Sequence, residues 1–152
     1  MWVRILAFLI LNFGALGIGV LFTGKGVVSD WYQNLDKAPW TPPGWVFGAA
    51  WTTIMLLFTV YMALLWDEIE DKPFLIRLFV AQWLLNVIWN PTFFYFKLTS
   101  LALLFIVSLT FLVGFFLFFF LSKMGWKSLL LSPYFVWMII ATSLNFYAVL
   151  KN

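Results

Sequence analysis

Aromatic rings and side-chain amides are the groups in this sequence that are numerous and well placed enough to do chemistry. Among 152 residues there are 10 Trp, 5 Tyr and 19 Phe, but no Cys and no His. Disulfides, thiolate nucleophiles, imidazole bases and the usual zinc and haem-iron ligands are therefore excluded. No Asp, Glu, Lys or Arg lies in the middle of a long apolar run, so proton relays, ion-coupled transport and hydrolysis lack their usual groups. Aromatic surface with a few hydrogen-bonding groups suits a pocket for a large, flat, mostly apolar ligand.

The stretch from residue 31 to 51, WYQNLDKAPWTPPGWVFGAAW, combines large rings, prolines and polar loop residues. Trp31 and Tyr32 are placed to anchor the loop among lipid headgroups, and such anchoring alone would explain both. Thr41 is predicted to cap a helix whose first turn contains Pro42 and Pro43, because the N–H groups that prolines lack would be unpaired there anyway. Function is expected to depend on this stretch.

Three amide side chains form a stripe on a later segment. Gln82, Asn86 and Asn90 are each four residues apart, which places them on one face of a helix. A polar stripe at membrane depth must face protein, water or ligand rather than lipid. Pro91 follows directly and removes a hydrogen bond to the carbonyl of Val87, so it predicts a kink.

The elements that must position these residues are membrane-spanning helices. The hydrophobic content is 64%, only 10% of the residues are charged, and the mean hydropathy is +1.01. Long apolar runs recur five times, each near the roughly 18 to 20 residues that a helix needs to cross the membrane. We predict an all-α integral membrane protein, a bundle of five transmembrane helices in a single domain covering residues 1–152. The predicted spans are about 5–22, 44–66, 74–96, 98–121 and 129–150, with a long first loop at 23–43.

The first span could be taken for a signal peptide because Arg4 lies at its start. It is long, lacks a small-x-small cleavage site and is followed by four more spans, so it is predicted to be a transmembrane helix. Ala15 and Gly19 on this span are four residues apart, a spacing that lets helix backbones approach closely. Packing within the chain is the preferred interpretation, and a dimer contact is the alternative. The formal charge of +3 comes from nine scattered basic residues, which argues against a nucleic-acid partner.

Three ordered segments carry a resemblance to a known family: WYQNLDKAPWTPPGWVFGAAWT, QWLLNVIWNPTFF and SPYFVWMIIATSLNFYAVLKN. Their most specific parts are W-T-P-P at residues 40–43, the Asn and Trp pattern of the third span, and P-Y-x-x-W with A-T-x-L-N in the fifth. Over essentially the whole chain, the sequence resembles the TspO/MBR family, the tryptophan-rich sensory proteins and translocator proteins, also described as peripheral-type benzodiazepine receptors.

This resemblance implies a multi-pass protein of the bacterial cell membrane, commonly a homodimer, with a cavity roofed by the first loop. The cavity of such proteins binds porphyrins and, in animal members, sterol and synthetic benzodiazepine-type ligands. A tetrapyrrole such as protoporphyrin IX is then a ligand, and no cofactor is required. The absence of His agrees with a metal-free porphyrin better than with haem, which needs an axial ligand, so no metal site is expected.

The resemblance also implies a set of site residues. The loop side of the cavity would consist of Trp31, Tyr32, Trp40, Pro42 and Pro43. The walls would consist of Ala49, Trp51, Asn86, Asn90, Trp137, Ala141 and Leu144. Further matches are Gln82, Trp83, Trp89, Phe93 and Tyr134. The tail residues Leu144, Tyr147 and Lys151 fit the loose L-x-Y-x-K pattern for cholesterol.

Three functions follow, in order of preference. The first is a membrane receptor or sensor that binds porphyrins with saturation and without turnover. The second is light- and oxygen-dependent degradation of bound porphyrin, which the resemblance to bacterial members suggests; the electron-rich rings of Trp51 and Trp137 would be its catalytic residues. The third is passive transport of tetrapyrrole or lipid, with membrane lipids as the main contacts.

Overall fold

The computed structural model describes all 152 residues, and it consists of helices and their connections, without strands. In chain order these are α1 (Trp2–Gly26), α2 (Asp30–Gln33), α3 (Gly44–Glu68), α4 (Lys72–Asn90), a π-helical turn (Pro91–Tyr95), α5 (Thr99–Phe119), α6 (Leu121–Met124), a 3₁₀ segment (Gly125–Leu131) and α7 (Ser132–Lys151). Five helical segments, each of 21 to 31 residues, are long and apolar enough to cross a membrane. The predicted all-α bundle of five transmembrane helices is confirmed, and the protein is an integral, multi-pass membrane protein.

The five long helices form a closed ring. α1 packs between α3 and α4, α4 packs on α5, and α5 packs along α7, which returns to α3. Arg4, in the first turn of α1, forms an ion pair with Asp67 near the end of α3. Lys127 pairs with Glu68 at 3.2 Å on the same side. We call this side the Arg4 end of the bundle and the opposite side, which carries the first loop (residues 27–43), the loop end.

Local sequence explains where α4 begins and ends. Asp71 caps its first turn by accepting a hydrogen bond from the N–H of Phe74 at 2.9 Å. Pro73 lies in that first turn, where its missing N–H has no consequence. At the other end the sequence predicts a kink at Pro91, and the structure accommodates this proline in one π-helical turn.

Residues 41–43 do not form the predicted helix start. α3 begins at Gly44, and Pro43 before it has an extended ψ of 149°. Thr41 instead closes a turn, because its hydroxyl and its N–H both donate to the carbonyl of Ala38, at 2.7 and 3.0 Å. Thr41 and Pro42 each precede a proline, and the following ring disfavours helical backbone at such positions. The prolines therefore delay the helix rather than begin it.

Large aromatic side chains fill the centre of the ring. Phe58 is 1% exposed and packs edge-on against Tyr134 and Phe116, with ring centroids 5.4 and 6.0 Å apart. Tyr61 is also buried and donates its hydroxyl to the carbonyl of Phe116 at 2.9 Å. Dense packing of this kind holds helices together in a membrane, because lipid tails are as apolar as the side chains themselves.

The amide stripe faces protein, as predicted, since Gln82, Asn86 and Asn90 are all buried. Gln82 and Asn86 both donate to the hydroxyl of Tyr134, at 2.6 and 3.1 Å. Asn90 accepts a hydrogen bond from the hydroxyl of Thr23 at 2.7 Å. These bonds join α4 to α7 and to α1, so the amides connect helices inside the bundle.

Small residues let α1 approach its neighbours closely. A Cβ atom on Gly19 would lie 2.8 Å from Asn90 Nδ2. A Cβ atom on Gly26 would lie 2.4 Å from the ring and 2.5 Å from the Cβ of Phe94. Ala15 is also buried. Of the two interpretations of this surface, packing within the chain is confirmed at Gly19.

We expect Gly26→Ala to lower the free energy of unfolding by about 1–3 kcal/mol, the usual cost of overpacking a filled interior. The added methyl group overlaps Phe94, so α1 or the π-helical turn must shift. Gly24→Ala is the matched control, because a Cβ there meets nothing within 4 Å. Thermal unfolding in detergent, followed by circular dichroism, measures both. Equal midpoints for the two variants would contradict this account of the α1 contact.

Candidate functional site

A small cavity lies at the loop end, under the first loop, and we call it the loop cavity. It is bounded by the first loop, α3, the end of α4 with the π-helical turn, and α7; its lining residues are Tyr32, Leu35, Lys37, Ala38, Thr41, Phe47, Trp89, Phe93, Phe94, Ala141, Leu144, Asn145 and Ala148. Its volume is about 70 Å³, whereas ligand pockets usually measure roughly 300–1,000 Å³. The structure therefore holds the cavity in a closed form, which a large ligand must widen.

Hydrogen bonds make one wall of the loop cavity rigid. Trp89 Nε1 donates to Asn145 Oδ1 at 3.0 Å, and Asn145 Nδ2 donates to the carbonyl of Thr99 at 2.9 Å. Trp89 also stacks on Phe93, with ring centroids 5.3 Å apart and planes 20° from parallel. Asn145 uses both ends of its amide on protein groups and so fixes the indole in place. The result is a fixed indole with a second ring stacked on it, held by hydrogen bonds that do not involve the loop.

The first loop roofs the cavity with rings and one cation. Trp31 packs edge-on against Phe93, and Tyr32 packs against Phe94, each pair with centroids 5.6 Å apart. Burial raises the pKa of Tyr32 above its ordinary value, so its phenol stays neutral and keeps an O–H to donate. The ammonium of Lys37 lies 4.7 Å from the centre of the Tyr32 ring. The roof thus carries a neutral phenol with a positive charge over the face of its ring.

Two sets of contacts outside the cavity attach the loop to α7 and to Asn152, which follows α7. The side chain of Asn152 forms two hydrogen bonds with the backbone of Asp36. Its Oδ1 accepts from the Asp36 N–H at 2.8 Å, and its Nδ2 donates to the Asp36 carbonyl at 3.2 Å. Trp40 Nε1 donates to Ser143 Oγ at 3.0 Å, and its ring meets Tyr147 edge-on at 5.5 Å. These hydrogen bonds are exposed, so water replaces them at little cost when they break. Lifting the loop would break these bonds and would also separate the buried Leu35 from Phe93 and Phe94.

The structure brings some of the predicted site residues to the loop cavity, whose lining includes Tyr32, Trp89, Phe93, Ala141 and Leu144. Trp137 lies just behind the lining, 6% exposed and edge-on to Phe47 at 5.4 Å. The Nε1 atom of Trp137 is buried without a hydrogen-bond partner. Trp51 contacts Tyr134, with centroids 6.1 Å apart, and does not border the closed cavity.

The remaining predicted residues lie away from the lining. Trp31 and Trp40 make the loop contacts described above, and Pro42 and Pro43 lead into α3. Ala49 is exposed on α3. Asn86 and Asn90 do not border the closed cavity, because Tyr134 and Thr23 already occupy their side chains. The sterol-like pattern is divided: Leu144 lines the cavity, whereas Lys151 lies over the ring of Tyr147 at 6.0 Å outside it.

Several lining residues were not predicted as site residues from the sequence: Leu35, Lys37, Ala38, Thr41, Phe47, Phe94, Asn145 and Ala148. Helical spacing could have found two of them, because Asn145 and Ala148 follow Ala141 by four and seven residues on one face of α7. Leu35 and Ala38 belong to a loop, which has no fixed period. Their position depends on how the loop folds back over the bundle.

We expect Asn152→Ala to speed hydrogen exchange at the backbone N–H of Asp36 by about tenfold, because the acceptor that protects this amide is removed. Exchange in α3 and α5 should stay unchanged, since neither helix takes part in the hydrogen bonds between Asn152 and Asp36. Hydrogen–deuterium exchange with peptide mass spectrometry resolves the loop from these helices. Lys151→Ala is the neighbouring control. Unchanged exchange at Asp36 would mean that other contacts hold the loop.

Five membrane helices closed into a ring, with a pocket under a long first loop, define a small multi-pass membrane protein with a candidate ligand site at one end. The chain belongs to the TspO/MBR family, whose family model matches residues 6–150. It is 33% identical over 123 residues to a tryptophan-rich sensory protein of Cereibacter sphaeroides, covering 81% of this chain and 77% of that protein.

Similarity extends to archaea and animals. The chain is 32% identical over 149 residues to the tryptophan-rich protein TspO of Archaeoglobus fulgidus, covering 97% of this chain and 94% of that one. It is 30% identical over 156 residues to the translocator protein of Homo sapiens, with coverage of 95% and 88%. Family membership and these relatives support a membrane receptor role of the sensory or translocator kind.

Proposed function

We propose that the protein is a receptor for porphyrins of the protoporphyrin IX type, and for related large apolar ligands, which it binds in the loop cavity. The observation that carries this proposal is the make-up of the lining. The lining combines the fixed Trp89 ring, with Phe93 stacked on it, and small residues of α7, Ala141 and Ala148. Aromatic walls bury the faces of a planar ligand, and small residues leave room for its thickness.

The rim of the loop cavity suits the charged edge of such a ligand. A protoporphyrin has an apolar body and two carboxylates on one edge. Lys37 supplies a positive charge at the rim, and the neutral phenol of Tyr32 beside it supplies a hydrogen-bond donor. The apolar body would lie inward, against Trp89, with the carboxylates outward at the loop.

Binding requires the loop to open. The closed volume of about 70 Å³ is too small for a tetrapyrrole. The exposed bonds at Asn152 and Trp40 break more readily than contacts within the bundle, and opening must also separate Trp31 from Phe93 and Tyr32 from Phe94. We therefore expect association to be slow relative to diffusion and limited by loop opening.

The test is a titration with protoporphyrin IX in the dark, followed by quenching of tryptophan fluorescence. The wild-type protein should saturate at one porphyrin per chain. Lys37→Gln should weaken binding of the diacid several-fold and leave binding of protoporphyrin dimethyl ester unchanged. Lys25→Gln, on the last turn of α1, is the control. Quenching that never saturates, or that matches empty detergent micelles, would refute porphyrin binding and leave passive transport as the remaining function.

A second candidate is photochemical degradation of bound porphyrin. One observation favours it: the Trp137 ring lies directly behind Phe47, and its Nε1 has no partner within the protein. The titration is therefore repeated under illumination in air with Trp51→Phe and Trp137→Phe. Loss of the porphyrin absorption band that either substitution slows would support degradation. A stable band in all samples would leave the receptor function alone.

A further inference from the structure

A second apolar depression lies at the Arg4 end of the bundle, far from the loop cavity. It runs between the first halves of α1 and α4, with Trp66 of α3 at one side, and we call it the α1/α4 groove. Its volume is about 460 Å³, within the roughly 300–1,000 Å³ that ligand sites occupy. It opens on the outside of the helix ring, so its occupant arrives from the membrane.

The groove is a preformed slot with a rigid floor. Phe8 and Phe79 form this floor; both are buried, and their rings pack edge-on with centroids 5.0 Å apart. The small side chain of Ala7 leaves the depression between the helices. Ile76 and Val80 of α4, each 46% exposed, and Leu11 of α1, 45% exposed, border the opening, so apolar surface faces outward on both sides of it.

The slot is closed toward the middle of the membrane and open at the Arg4 end. Trp83 Nε1 donates to the carbonyl of Leu11 at 2.9 Å, and this bond ties α4 to α1 across the deep end of the groove. A helix of a second copy would need a surface that continues along the bundle. A flexible chain suspended from a headgroup needs only a short slot, and the lining runs only from Arg4 to Leu11 on α1 and from Ile76 to Trp83 on α4.

Basic side chains lie at the Arg4 end of the groove. Arg4 lines the groove and pairs with Asp67, but its guanidinium has five N–H groups, most of which stay free. Arg77 follows Ile76 in sequence, is exposed and forms no ion pair. Lys72 lies over the ring of the groove residue Trp66, with its ammonium 5.2 Å from the ring centre. Positive charge at the headgroup level attracts anionic lipid.

We propose that the α1/α4 groove binds one acyl chain of an anionic phospholipid, whose phosphate group is held by Arg4 and Arg77. The apolar slot takes the hydrocarbon, and the basic open end takes the headgroup. The site is separate from the loop cavity in position and in ligand chemistry, so it stands whether or not the protein binds porphyrin.

Native mass spectrometry of the full-length protein tests this proposal. The probes are phosphatidylglycerol and phosphatidylcholine with identical acyl chains, titrated separately and together. Ala7→Leu fills the slot, and Gly24→Leu is its control, because a Cβ at Gly24 also meets nothing within 4 Å but lies at the loop end of the same helix. Arg77→Gln removes the free cation, and Lys123→Gln removes an exposed cation on α6 at the same end.

The expected result is one preferentially retained phosphatidylglycerol per chain. Ala7→Leu should weaken retention of both lipids at least tenfold, whereas Arg77→Gln should abolish only the preference for phosphatidylglycerol. Both controls should behave as wild type. A graded series of bound lipids without a preferred stoichiometry would overturn the proposal, as would equal effects of each variant and its control. If Ala7→Leu changes the fraction of dimer and leaves lipid retention unchanged, the occupant is a second copy of the chain and the lipid assignment is wrong.

Discussion

Ala141→Phe is expected to weaken porphyrin binding by at least about a hundredfold, roughly 2.8 kcal/mol of binding free energy. Ala141 lines the loop cavity from α7. A phenyl group there would occupy the space that the ligand needs. The rigid wall formed by Trp89 and Asn145 cannot move back to restore this space, because its hydrogen bonds reach α5. Lifting the loop would not relieve the block, since Ala141 belongs to a transmembrane helix.

Ile139→Phe is the control for that substitution, because Ile139 is on the same helix and 50% exposed. It adds bulk without touching the cavity. Dissociation constants for protoporphyrin IX, measured by fluorescence quenching in the dark, compare the two variants. If Ala141→Phe retains wild-type affinity while the wild type binds with saturation, the porphyrin lies elsewhere in the protein.

Phe58→Ala should have the largest effect on stability, lowering the free energy of unfolding by about 3–5 kcal/mol. The ring of Phe58 packs on aromatic side chains of α3, α4, α5 and α7: Tyr61, Phe79, Phe116 and Tyr134. Its removal leaves a cavity at the centre of the ring of helices. Lipid cannot reach this cavity, and dispersion contacts with all these rings are lost together.

Phe111→Ala provides the comparison, because Phe111 is 77% exposed on α5. The same atoms are deleted, but lipid or detergent fills the space. Denaturant titration in mixed micelles gives both free energies. A similar loss in the two variants would mean that stability depends on total apolar surface rather than on packing at the centre.

The membrane helices were predictable because two physical constraints act on every residue of a span. A helix must be long enough to cross the hydrocarbon, so the lengths of the apolar runs gave five spans. Amides cannot face lipid, so the four-residue spacing of Gln82, Asn86 and Asn90 gave the buried face of α4. Neither argument needs knowledge of the neighbouring helices.

Details that depend on neighbours were not predictable in this way. The last span was expected from residue 129, but α7 begins at Ser132 after a 3₁₀ segment that starts at Gly125, where φ is +53°. The hydrogen-bond partners of the amides could not be predicted either, because only the fold places Tyr134 opposite Asn86. The same holds for the loop cavity: its α7 face follows a helical period, whereas Leu35 and Ala38 reach it through a loop.

The order of the helices in the ring has a consequence for assembly. α3 and α4 are joined by a short connection, yet α1 stands between them. The connection crosses the end of α1, where Arg4 bonds Asp67 and Lys72 bonds the carbonyls of Trp66 and Ile69. A hairpin of α3 and α4 without α1 would pack with a different distance between its two helices. The first helix therefore acts as a spacer that sets the separation of α3 and α4 at the Arg4 end.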